Sequence, residues 1–206
     1  MNSLKHKQQV ADIMQRLYSR GLTTCSGGNV SLRAENGHVF ITPSQIDKGN
    51  IRPEEVAELD AEGKLLTPEL KPSMETGMHL EIYRQRPDVQ AIVHAHPPKA
   101  TAWACSSEPL KNNLCGEARY FLGEIARAPY RLMGTDGLAE AVVKGLGDSK
   151  AVLLDNHGAL TVGDSLFKAY DRMEVLESLA ELQINLRIIG QPVHLSESQQ
   201  EKLDNY

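Results

Sequence analysis

Apolar residues recur every three or four positions through the first twenty residues. Leu4, Val10, Ile13, Met14, Leu17 and Tyr18 fall roughly on one face, so a helix is predicted, with Gly21 where a C-terminal glycine belongs. In 25-CSGGNVSLRAENGHVFITPSQ-45 the pattern changes. VSLR and HVFIT read as short strands joined by a turn at Asn36-Gly37. The segment 53-PEEVAELDAEGKLL-66 reads as strand, turn and strand, turning at Glu62-Gly63. Helical spacing returns in 74-METGMHLEIYRQR-86, with Met78, Ile82 and Tyr83 inward and Pro87 as the stop. The run 89-VQAIVHAH-96 is a strand closed by Pro97-Pro98.

Beyond it the pattern predicts a short helix over 100–105 and strand-like pieces before 128-APY-130. A helix follows over 135-TDGLAEAVVKGLG-147, with Thr135 as N-cap and Gly147 at its end. The stretch 151-AVLLDNHGALTVG-163 reads as two buried strands broken by a turn from Asn156 to Gly158. A long amphipathic helix runs from about Ser165 to Ile189, ended by Gly190, and 191–206 is polar. No internal repeat, linker or low-complexity segment interrupts the chain. Hairpin strands mixed with helices predict α+β layers in one domain over 1–206.

The chain has 206 residues and a formal net charge of −5, which gives no electrostatic case for nucleic acid or an acidic membrane surface. No apolar run approaches the roughly 20 residues of a membrane helix. The N-terminus lacks the apolar core of a signal peptide. Cys25, Cys105 and Cys115 form no closely spaced pair, which fits a reducing cytoplasm.

Histidine changes the picture. His94 and His96 stand two apart in a strand pattern, so they share a face with Ile92. Two readings are open: hydrogen-bonded core histidines, or two ligands converging on a metal. His157 sits at another strand end beside Gly158. Three such histidines make the ligand pattern of a catalytic zinc with an open position. Glu75 falls in the first turn of the helix after Pro72-Ser73, as a helix-dipole partner or as a general acid/base. His79, four residues on, reads as a helix-surface partner of Glu75 or a support to the metal site. The same helix start, with 26-SGGN-29 and 42-TPSQ-45, offers N–H and hydroxyl donors to an anion.

The motifs GGNVS, ITPSQ, KPSMETGMH, AIVHAHP and LLDNHGAL occur in that order. Together they resemble the class II aldolase/adducin family, and most closely its bacterial L-fuculose-phosphate aldolase branch. The resemblance implies a three-layer α/β/α fold around a largely antiparallel sheet. It implies a cytoplasmic lyase with one Zn2+ per chain, acting on a small-molecule sugar phosphate. It also implies a homotetramer with active sites between subunits. Carried over by motif, His94, His96 and His157 match the zinc ligands. Glu75 matches the catalytic acid/base, which can also reach the metal. Gly28, Asn29, Ser44, Gln45, Ser73 and Met74 match the phosphate-binding positions. Gln45 stands where a glycine is common and Met74 where a second serine is common. Tyr206 matches a catalytic tyrosine of the tail, whereas Tyr120 is out of register with the tyrosine that protonates the aldehyde. Dehydratases, decarboxylases and 4-epimerases share the scaffold, as does the adducin head, an interaction module without the metal site.

Overall fold

The computed structural model describes residues 2–206; Met1, which the sequence places in the first helix, lies outside them. Strands β1 (Asn29–Arg33) and β2 (Val39–Ile41) form the expected hairpin, with Ser31 opposite Ile41 and Gly37 at φ +84° in the turn. Only a residue without a β-carbon takes that backbone angle freely. β3 (Ala57–Leu59) pairs outside β2. On the other side, β4 (Ala91–Ala95) lies antiparallel to β1, and two further strands follow, β7 (Gly158–Gly163) and β6 (Ala151–Leu154). β5 (Ile125–Ala128) closes the edge parallel to β6. The sheet is open and seven-stranded, in the order β3-β2-β1-β4-β7-β6-β5.

Helices cover both faces, giving the α/β/α layers. On one side α1 (Asn2–Ser19), α3 (Pro98–Ala104), α4 (Gly116–Leu122) and α6 (Leu166–Ile189) pack on Val30, Val93, Ala95 and Leu153. On the other, α2 (Thr76–Gln85) and α5 (Asp136–Leu146) pack on Ile41, Ile92, Val152 and Leu160. The alternation along β4 sends Ala91, Val93 and Ala95 to the first layer and Ile92 to the second. Each fully buried aliphatic side chain contributes about 1.5–3 kcal/mol. α5 starts at its expected cap, where Thr135 Oγ1 accepts from Leu138 N at 3.3 Å, and α6 is capped by Ser165, whose Oγ accepts from Lys168 N at 3.3 Å. Among the described residues, no helix is long and apolar enough to cross a membrane.

Four expectations need correction. The buried stripe of α1 is narrower than predicted: Val10, Met14 and Leu17 are buried, while Leu4 and Tyr18 are exposed. The strand pair over 53–66 is a 3-10 turn at Pro53–Glu55 followed by β3, and its second strand shrinks to a bridge between Leu59 and Leu65. Pro53 lacks an N–H and suits the first turn of a helix. α4 and a tail helix, α7 (Glu197–Asp204), were not predicted. α7 buries no residue, so it leaves no apolar periodicity to find. Its Ser196–Gln199 capping box and an Arg119–Asp204 ion pair secure it instead. Finally, the helix expected from 74 begins at Thr76, which leaves Glu75 as its N-cap.

Candidate metal centre

The centre of the sheet supplies the three histidines. His94 lies on β4 opposite Leu160, on the face turned to α2. His96 follows just past the strand end, and His157 sits in the turn before β7, next to Asn156 at φ +53°. Their ligand nitrogens all lie within 4.8 Å of one another. From the start of α2, Glu75 reaches the same point: Oε2 is 3.2 Å from His94 Nε2 and Oε1 is 3.4 Å from His157 Nε2.

Proximity here is not hydrogen bonding. His94 Nε2, His96 Nε2 and Glu75 Oε1 are buried without a partner among the described residues. Such atoms are costly unless something bonds to them. His94 Nδ1 lies 2.9 Å from the carbonyl oxygen of Ala159, which can only accept. Nδ1 therefore carries a proton, so once the ring gives up its second proton the Nε2 lone pair turns inward. Burial, with the charge of His94 next, pushes His96 down to about 3 and His157 down to about 4, so both rings are neutral at pH 7. Burial also opposes charge on His94, but the Glu75 carboxylate beside it overrides burial and raises that ring. Burial would raise Glu75 in turn; His94, His157 and a hydrogen bond from Asn29 outweigh it and hold the carboxyl low. Three imidazole nitrogens and a carboxylate oxygen form a donor set suited to a borderline divalent cation such as zinc. The orphaned atoms fit that group.

Behind Glu75 runs a buried polar chain. Asn29 Nδ2 donates to Glu75 Oε2 at 2.7 Å, and Asn29 Oδ1 lies 2.5 Å from His79 Nε2. His79 Nδ1 is 2.7 Å from Ser31 Oγ, which is 2.7 Å from the Tyr83 hydroxyl. The surface pairing of His79 with Glu75 is thus overturned: the His79 side chain is fully buried. The missed signal was the pair of polar residues, Asn29 and Ser31, on the β1 face opposite it.

Residues 8–184 match the family described as class II aldolase and adducin N-terminal domain. The chain belongs to the class II aldolase and adducin family. It is 35% identical over 201 residues to a 5-deoxy-D-ribulose 1-phosphate aldolase of Bacillus thuringiensis, covering 97% of this chain and 93% of that protein. It is 33% identical to a 3-oxo-tetronate 4-phosphate decarboxylase of Haemophilus influenzae, over 100% of this chain and 99% of the other. A solved L-fuculose 1-phosphate aldolase superposes with a TM-score of 0.90 at 33% identity, covering 98% of this chain and 95% of that one. The protein is an enzyme of the class II aldolase kind, a metal-dependent group of lyases.

The residues expected by motif to bind an anion lie near Glu75, and the N–H groups around Ser44 and Ser73 are engaged. Ser44 N donates to Lys71 O at 2.9 Å, Met74 N to Ser44 Oγ at 3.0 Å and Glu75 N to Ser73 Oγ at 3.2 Å. The two hydroxyls occupy N–H groups that an anion would otherwise take. Gln45 holds φ +59°, which accounts for the glycine common there; a glutamine in that region costs about 1 kcal/mol. Gly28, at φ +67°, passes so close to β4 that a β-carbon would stand 2.7 Å from His94 O. Asn29 is committed to Glu75. Lys48, 1% exposed, donates to Pro43 O at the base of this turn, and burial pulls its amine down to about 8. Tyr206, expected from the resemblance to match a tail tyrosine, is 94% exposed and sits with Tyr120, ring centroids 5.9 Å apart, in a groove whose walls include none of the three histidines.

Proposed function

We propose that the chain is a zinc-dependent aldolase that splits a ketose 1-phosphate, such as L-fuculose 1-phosphate, into dihydroxyacetone phosphate and an aldehyde. The observation that carries this is the convergence of buried, partnerless His94 Nε2, His96 Nε2 and Glu75 Oε1 on one point. His94, His96 and His157 would hold the ion. Bound there, it supplies Lewis-acid stabilisation of charge developing on the substrate carbonyl oxygen. Glu75 moves the proton: Oε2 is fixed by Asn29, and Oε1, ionised at rest, is free to take up the proton that the substrate hydroxyl loses as the C–C bond breaks and to return it to the carbon left behind.

The phosphate would displace the Ser44 and Ser73 hydroxyls from Met74 N–H and Glu75 N–H and take those donors itself, beside Gly28 and Gln45. Exposed Met74, Tyr130, Leu132 and Met133 support subunit contacts, in keeping with a homotetramer. In such an assembly Tyr206 would serve the site of an adjacent subunit. The similarity to the decarboxylase across its whole length supports a second reading, loss of CO2 from a 3-oxo sugar-acid phosphate, in which Glu75 protonates the same kind of carbon.

The deciding experiment is a product-resolved screen of the zinc-loaded protein against ketose 1-phosphates and 3-oxo acid phosphates. Dihydroxyacetone phosphate with an aldehyde supports the first reading. CO2 release alone would replace it with the second, and turnover of neither class would reject both.

A further inference from the structure

The inner side of α2 and the facing side of β1 carry polar groups at matched intervals. Glu75, His79 and Tyr83 are four residues apart, about 6 Å per step along a helix. Asn29 and Ser31 are two apart, about 6.6 Å along a strand. Because the steps nearly agree, helix and strand groups interleave as Glu75, Asn29, His79, Ser31 and Tyr83. Four contacts of 2.5–2.7 Å join them. Asn29, Ser31, His79 and Tyr83 are each under 5% exposed, so water hardly competes.

Donor accounting gives the chain one direction. An ionised Glu75 only accepts, so Asn29 turns its Nδ2 to it and its Oδ1 to His79. That oxygen also only accepts, so His79 Nε2 carries the ring proton. The buried ring is neutral, which leaves Nδ1 bare to accept the Ser31 hydroxyl proton. Ser31 Oγ then accepts from the Tyr83 hydroxyl; Gln90 O, at 3.5 Å, is too distant to compete for that proton. Every donor in the series points toward Glu75.

We infer that His79 is a positioning residue for Glu75: its Nε2–H fixes the Asn29 amide so that nitrogen, never oxygen, faces the carboxylate. An amide turned the other way would set two acceptors against each other and release Oε2. Held as it is, Glu75 keeps one oxygen anchored and the other free. The functional part of this inference rests on the proton-transfer role given to Glu75 above.

Two measurements test it. In the intact metal-loaded wild type, two-bond proton–nitrogen correlation spectra should show His79 as the Nε2–H tautomer; the Nδ1–H tautomer overturns the inference. Kinetically, H79L should lower kcat about ten- to a hundredfold, with KM and zinc content unchanged. H79Q places an amide N–H near the position of Nε2 and should recover most of that loss. Equal activity of wild type and H79L, per zinc-loaded folded chain, overturns the inference. So does an equal loss in H79L and H79Q. If H79L does not fold, the tautomer and H79Q against wild type still decide. A wild type inactive on every phosphate tested would remove the proposed function, while the tautomer would still decide the direction of the chain.

Discussion

Gly158 lies against His96 so closely that a β-carbon on it would stand 2.7 Å from His96 Cδ2 and 2.6 Å from Ala95 O. The backbone oxygen cannot step aside, because β4 is pinned on both edges. Gly158→Ala is expected to displace the His96 ring, lower zinc content and destabilise the fold by roughly 1–3 kcal/mol. Elemental analysis and thermal unfolding check this. Full zinc content at wild-type stability would mean that the turn before β7 has more slack than its geometry shows.

Glu75→Gln keeps a side chain of the same size and removes the proton-carrying oxygen. Zinc should remain bound through the three histidines, while kcat falls about 10²- to 10⁴-fold, the usual scale for a general acid/base. Single-turnover kinetics beside metal analysis tests both halves. A variant that turns over at the wild-type rate would reduce Glu75 to a helix-cap residue.

Zinc and protons should compete at His94. In the metal-free fold the Glu75 carboxylate raises this ring. A raised histidine contributes stability below its unfolded pKa and loses it as pH rises through its folded one. A metal needs Nε2 bare, so it replaces that proton. Zinc affinity should therefore fall as pH drops below the raised pKa, approaching about tenfold per unit, with about one proton released per ion. Calorimetric titration at pH 6.5 in buffers of different ionisation enthalpy would show the release. Identical heats in every buffer would contradict it.

Lys48 has the opposite linkage. Its amine is pulled from an ordinary 10.5 down to about 8. Between those values the unfolded chain binds more protons than the folded one, so this group's contribution to stability rises with pH. At pH 7 the buried ammonium is a net cost, and Lys48→Met should be more stable by roughly 1–3 kcal/mol. The advantage should shrink by about pH 10. Denaturant titrations at both pH values test it; a methionine variant less stable at pH 7 would show that the bond to Pro43 O outweighs burial.

Met74→Ser adds a hydroxyl at the turn proposed to hold the substrate phosphate. If the natural substrate is phosphorylated, its KM should drop by up to about tenfold, since each 1.4 kcal/mol is a factor of ten. The free sugar should gain little. An equal change for both substrates would separate residue 74 from phosphate recognition.

Much of the frame was legible because it is marked locally. Asn36-Gly37 names its hairpin, Thr135 and Ser165 name their helix starts, and alternation about Val93 names a strand buried on both faces. The histidines were legible because His94 and His96 stand out in an apolar strand. What escaped depends on distant partners. Spacing of four between Glu75 and His79 looks the same on a wet face as on a dry one, and only β1 decides which it is. The start of α2 shifted because the N–H groups of Ser73, Met74 and Glu75 bond to Thr42 and to the Ser44 and Ser73 hydroxyls.

β4 has three strands on either side, so its backbone is the part of the sheet farthest from any edge. Fraying begins at edges and ends, and the amides of a central strand exchange with solvent only when the whole fold opens. His94 is rooted there, and His157 abuts β7, its next neighbour. Hydrogen exchange should therefore be slowest at Ile92 and Val93 and faster at the start of α2. His94 and Glu75 thus belong to regions that open at different rates: the proposed seat of the ion endures while the proposed proton carrier breathes.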